Sequence, residues 1–259
     1  MKNPTTLKRM LATGLAAGML LALPTAANAQ QADTAANDQV TVQDVTPEHR
    51  VDFGTAQQRL IDAIERRLET LERLTNVVTG NEHITAGHEA RLLADYAQAA
   101  NGLRIARGDA QAATTFDELR QIGHHVVVDY RIYLVVAPKT HEVIASDTVA
   151  DAADRMDGIA DELGAAIERA EQAGYDVTEA RRWLTVARDE IGEGRRAGGP
   201  VADDVIGLQA SDYPDPATGA LAAGKRRLDN ARIDLREAKV ALEKSYAALQ
   251  DAVGDPADV

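Results

Sequence analysis

The sequence predicts an all-α protein, an elongated antiparallel helical bundle or coiled coil of about five to six helices. Three observations lead there. Apolar residues recur at three- and four-residue spacing along most of the chain, the period that lines one face of a helix. Aromatic residues make up only 3 % of the chain, with one Trp and two Phe, so the core relies on Ala and Leu, which suit long packed helices. Finally, Leu221, Leu228, Leu235, Leu242 and Leu249 fall seven apart without exception, the repeat of a left-handed supercoiled seam.

The N-terminus reads as an export signal. Lys2, Lys8 and Arg9 precede an uncharged run from Met10 to Leu23, and Ala27-Asn28-Ala29 supplies a small-x-small cleavage site. The run is shorter than the roughly 20 residues that span a bilayer as a helix, so residues 1–29 are predicted to be a signal peptide cleaved after Ala29. No later run is long and apolar enough for an integral membrane segment. The chain has no cysteine, which removes disulfides, thiol catalysis, thiolate metal sites and a lipid-attachment site together. The expected location is secreted or extracellular, with non-covalent association at the cell envelope.

Charge narrows the partners. Without the three basic residues of the signal, the 28 Lys+Arg of the chain become 25 against 41 Asp+Glu, a formal net charge of −16. Phosphate backbones and anionic lipid surfaces are bound by clustered Lys and Arg, so this balance argues against nucleic acid. An envelope protein or wall polymer remains compatible with it.

Each helix can be placed in order. Residues 30–54 lack sustained periodicity and are predicted to be a disordered leader. Residues 55–137 then read as a three-helix region. The first helix, capped by Thr55 and stopped at Gly80, carries Ile61, Ile64, Leu68, Leu71, Thr75 and Val78 on one face. The second begins after Thr85, carries Leu92 or Leu93, Tyr96, Ala99 or Ala100, and Leu103 at helical spacing, and ends at Gly108-Asp109. The third opens on Thr115-Phe116-Asp117-Glu118, a capping box whose hydroxyl and carboxylate satisfy free N–H groups reciprocally.

That third helix runs into "DYRIYLVVAPK", residues 129–139, the one stretch whose residues alternate as a strand's do. A strand needs partners for its backbone polar groups, and nothing else in the chain alternates this way. The segment is therefore predicted to be the second half of a central buried helix that stops near Pro138. Asp129, Tyr130, Arg131 and Tyr133 are then expected to fix helix register through salt bridges and hydroxyl contacts.

Residues 138–253 read as a long antiparallel helical coil with a loop near 194–215. Val149, Ala152, Met156, Ile159, Leu163, Ala166 and Ala170 keep helical spacing up to Gly174. A further helix from Thr178 carries Ala180, Leu184, Ala187 and Ile191 and weakens at "GEGRRAGGP". Asp215 is expected to cap the last helix with Pro216 at its first position. Three residues on from the first four leucines stand the small residues Gly224, Ala231, Ala238 and Ser245, which let helices approach closely. An intrachain seam and self-association are both open to this stripe, whereas the acidic balance and the signal argue against a DNA-binding zipper.

"NEHITAGHEARL", "DELRQIGHHVVVDYRIYLVVAPKTHEVIASD" and "AIERAEQAGYDVTEAR" together resemble a group of secreted proteins from high-GC Gram-positive bacteria. The resemblance covers roughly residues 56–250, and its most specific part is Asp129, Tyr130, Arg131, Tyr133, Pro138 and Lys139. It implies an all-helical, elongated fold and favours helix over strand for residues 129–139. It carries over no catalytic residue and no activity.

Chemistry offers few candidates. His83, His88, His124, His125 and His141 are concentrated in one region, and imidazole with carboxylate suits zinc, nickel or copper. No pair has the i, i+4 spacing that presents two imidazoles on one helical face. No nucleophile elbow, H-E-x-x-H, P-loop or dinucleotide fingerprint occurs. The expected function is a non-enzymatic, structural or adhesive role at the envelope, without a cofactor. The alternative is a metal- or small-ligand-binding module using the histidine-rich region 83–141, and a secreted hydrolase is a distant third.

Overall fold

A computed structural model describes residues 52–254. The predicted signal peptide and most of the predicted leader lie outside the described residues. Within them the protein is all-α, and no strand occurs. Seven helices follow in order: α1 (Phe53–Thr79), α2 (Ala86–Ala112), α3 (Phe116–Val128), α4 (Ala137–Gln172), α5 (Thr178–Gly198), α6 (Val201–Ile206) and α7 (Ala217–Val253). A π-helical turn, Ile132–Val136, leads into α4, and a 3-10 turn, Ala210–Asp212, precedes α7.

The described chain divides into two compact units, one of residues 52–144 with Ala202–Gly224, the other of Ala145–Val201 with residues 225–254. The division falls inside α4 rather than at Pro138, and most of the segment expected to be a coil loop belongs with the first unit.

In the first unit, α1 buries Ile64, Leu71, Leu74 and Val78, α2 buries Leu92, Tyr96 and Leu103, and α3 buries Leu119 and Val126. The predicted face of α1 is therefore correct, with Ile61, Leu68 and Thr75 at its half-buried margins. The cap of α1 is Asp52 rather than Thr55. Its carboxylate accepts from both the amide and the hydroxyl of Thr55, at 3.0 and 2.6 Å, so the helix starts three residues early. Helix α2 runs past Gly108 to Ala112 because the Gln57 side chain of α1 donates to the free carbonyls of Ala110 and Gln111, at 2.9 and 3.2 Å. The capping box of α3 is formed as expected, with Glu118 accepting from the Thr114 and Thr115 amides at 2.7 and 3.0 Å.

Residues 129–139 are helical at one end only. Helix α3 stops at Val128, and Arg131 takes a left-handed conformation with φ 37°. The carbonyl of Arg131 then accepts from the amides of Leu134 and Val135, at 3.1 and 2.9 Å, and opens the π turn. Pro138 does not end a helix here. It is the second residue of α4, directly after the π turn, in which the Ala137 amide donates to the Ile132 carbonyl.

In the second unit, α5 runs antiparallel to both the 145–172 part of α4 and the 225–253 part of α7. Arg188 and Arg195 of α5 reach Asp161 and Asp154 of α4 at 2.9 and 2.7 Å. Ser245 of α7 donates to the Ala180 carbonyl of α5 at 2.7 Å. Helix α5 continues through "GEGRRAG" because its glycines are contact points. A Cβ on Gly198 would come within 2.7 Å of Val149 and 2.9 Å of Ala231. The buried Ser146 hydroxyl faces the last free carbonyls of that helix, those of Gly198 and Gly199, at 2.8 and 2.7 Å.

Helix α7 starts one residue later than predicted, at Ala217, with the Pro216 carbonyl accepting from Ala220 at 3.0 Å. Leu221, Leu228, Leu235, Leu242 and Leu249 are all buried within the chain, as are Ala231, Ala238 and Ser245. The heptad stripe is thus an intrachain seam.

Candidate functional site

Among the described residues, Arg131 is the one non-glycine residue with a positive φ, and the side chains around it dock on three different elements. The Tyr130 ring lies over Gly102 of α2, where a Cβ would meet its hydroxyl at 2.1 Å. The Arg131 guanidinium stacks 4.5 Å from the Tyr213 ring in the segment before α7. The Tyr133 ring sits under Arg67 of α1, at 5.4 Å, with its hydroxyl 3.5 Å from Thr70. Tyr130, Arg131 and Tyr133 are thus each held by an element remote in sequence, which the local pattern does not register. Asp129 faces outward, with its carboxylate 2.9 Å from His125 Nδ1 on the preceding turn.

Just beyond lies a buried polar pair of residues. Lys139, only 2 % exposed, donates from Nζ to Asp95 at 2.7 Å and to the Leu208 carbonyl at 3.0 Å. The neighbouring Thr140 hydroxyl bonds the Tyr96 hydroxyl and donates to the Val136 carbonyl. Burial pushes the Tyr96 phenol up to about 12, against the smaller opposing effect of its Thr140 bond. Asp95 is also 3.5 Å from Arg91, one turn earlier on α2. These groups tie α2, α4 and the 206–208 segment together. Their chemistry is used within the fold.

The histidines do not converge into a ligand set. The His83 amide donates to Asn81, His88 Nε2 lies 3.3 Å from Asp203, and His124 and His125 sit side by side on α3 with ring centroids 6.3 Å apart. His141 is half-buried in α4. Among the described residues, the one trio of His, Asp or Glu side chains with ligating atoms mutually within 4.8 Å is Glu190, Glu193 and Asp234, and no histidine belongs to it. The metal expectation for the histidine region therefore lacks a geometric basis.

That acidic trio borders a groove that none of the sequence motifs marks. Helices α5 and α7 enclose an open volume of about 410 Å³ lined by Trp183, Val186, Glu190, Ile233, Val240 and Lys244. Ile233 and Val240 remain 49 % and 44 % exposed. Burial, then repulsion from Glu237, Glu193, Asp234 and Asp189, holds the Glu190 carboxyl above its ordinary value. Asp234 is raised in the same sense by burial, Glu193 and Glu237. A signal is nonetheless present in the sequence. Ile233 and Val240 are seven apart on the side of α7 away from the leucines, and Trp183, Val186 and Glu190 follow i, i+3, i+7 on α5, outside the buried stripe of Ala180, Leu184, Ala187 and Ile191.

The class that these observations define is an all-α helical bundle. Comparison with protein-family models, curated proteins and solved structures returns no match, so the functional reading rests on the molecule's own geometry. Among the described residues, no helix is long and apolar enough to cross a membrane.

Proposed function

We propose that the chain is a secreted, non-enzymatic helical protein that acts at the cell envelope through contacts of its helix faces. Its partner in this reading is an envelope protein or wall polymer, and no cofactor takes part. The reading is supported by a contrast within the structure. Lys139, Thr140 and Tyr130, the residues that look most chemical, spend their polar groups or rings on neighbouring helices. The α5–α7 groove instead leaves large apolar side chains partly open to solvent between charged neighbours, the composition of a contact surface.

The test is cellular and biochemical. Fractionation should recover the chain outside the cytoplasm, and purified chain should bind isolated cell walls saturably. Recovery in the cytoplasm, or binding to walls no better than that of an unrelated acidic helical protein, would contradict the reading.

A further inference from the structure

The α5–α7 groove has two electrical ends. At one, Glu190, Glu193 and Asp234 crowd their carboxylates within 4.8 Å of one another. At the other, the Lys244 ammonium lies 4.1 Å from the centre of the Trp183 ring, and Arg182, itself bridged to Glu179, stacks on that ring at 4.4 Å. Asp234 and Lys244 are ten residues apart on α7, about 15 Å along a helix axis. Between the ends lie the apolar side chains of Val186 and Val240 together with the oppositely charged, neighbouring Arg236 and Glu237, and Ile233 stands beside the acidic end.

We propose that this groove receives a second copy of the same chain, docked antiparallel about a two-fold axis that crosses α7 between Asp234 and Lys244. A two-fold axis reverses the groove, so each copy's Lys244 falls against the other's acidic trio, and Val240 packs near its own equivalent. The pattern is self-complementary, whereas a partner of single sign would match one end and oppose the other. Docking also adds the partner copy's Lys244 to Arg236 as a cation facing the acidic end, in keeping with the raised Glu190 and Asp234 carboxyls. The proposal deepens the helix-face reading by naming an occupant for the face, and it rests on that reading.

Charge reversal and mixing test it, with sedimentation velocity on the full chain as the readout and circular dichroism as a check of folding. Wild type self-associates. Lys244→Glu alone, and Glu190→Lys with Asp234→Lys alone, each weaken self-association by about tenfold or more, since like charges then meet at both ends. Mixing the two variants restores a dimer, because the reversed ends complement each other. Ile233→Glu, at an exposed position, gives an independent loss of association should a charge variant lose helicity. A monomeric wild type, parent variants that associate as wild type does, or a folded mixture that stays monomeric would overturn the proposal. The outcomes separate the two readings. A monomer that still binds cell walls refutes only the second copy, and a dimer that does not bind them refutes only the envelope role.

Discussion

The Tyr130 hydroxyl lies against the α-carbon of Gly102, so close that a methyl group on residue 102 would come within 2.1 Å of the oxygen and 2.8 Å of the ring. Glycine is therefore required in the middle of α2, despite its poor helix propensity, because an aromatic ring from the break after α3 occupies the space. At Gly108, six residues on in the same helix, a Cβ would meet nothing within 4 Å. Gly102→Ala should lower stability by about 1–3 kcal/mol through overpacking, while Gly108→Ala should raise it by about 0.5–1 kcal/mol. Urea unfolding of the two variants checks the opposite signs.

The Lys139–Asp95 pair is unequally buried, with the lysine side chain 2 % exposed and the aspartate 18 %. Removing one partner costs most when the charge left behind is the more buried one. Asp95→Asn should therefore destabilise by about 3–5 kcal/mol. Lys139→Met should cost less, because the remaining carboxylate keeps Arg91 and some water. Equal losses measured by thermal or urea unfolding would contradict this asymmetry.

Tyr96 should titrate late. Its phenol is held at about 12 by burial, whereas an unfolded tyrosine ionises near ~10. Between those values the folded chain keeps a proton that the unfolded chain releases, so stability falls as pH rises through that window. Tyr96→Phe should flatten that part of the pH profile, and phenolate absorbance should show one tyrosine appearing only near or after unfolding.

Glu118 shows the opposite sign. Its bonds to the Thr114 and Thr115 amides hold the carboxyl below its ordinary value. That contribution is fully present above the unfolded-state pKa and is lost as pH falls through the lower folded-state pKa. Glu118→Ala should be less stable than wild type at neutral pH, and the gap should shrink on acidification. Parallel unfolding curves at neutral and strongly acidic pH, in a range where both proteins remain folded, measure it.

What could be read in advance was local. The leucine seam of α7 and the Thr115–Glu118 capping box depend on spacing within one helix, and both appear as expected. The break at Asp129–Arg131 depends on Gly102, Tyr213 and Arg67, which are remote in sequence, so a continuous helix was the natural local reading. The persistence of α5 through its glycines likewise depends on Val149, Ala231 and Ser146 of neighbouring helices. Tyr130, Arg131 and Tyr133, expected to fix the register of one continuous helix, stand instead where that helix breaks, with Tyr130 against Gly102, Arg131 over Tyr213 and Tyr133 beside Arg67. The α5–α7 groove is hidden in the sequence because isolated exposed apolar residues are ordinary, and only the packing of two helices makes Ile233, Val240, Val186 and Trp183 one surface.

The claim that this surface is the working face is tested most directly by sedimentation equilibrium of the wild-type chain beside Val240→Glu at neutral pH. The account predicts a wild-type mass that rises with concentration from one chain toward two, and a variant of equal helicity that stays at one. A wild-type mass of one chain at every concentration, or a dimer that Val240→Glu leaves intact, would contradict it.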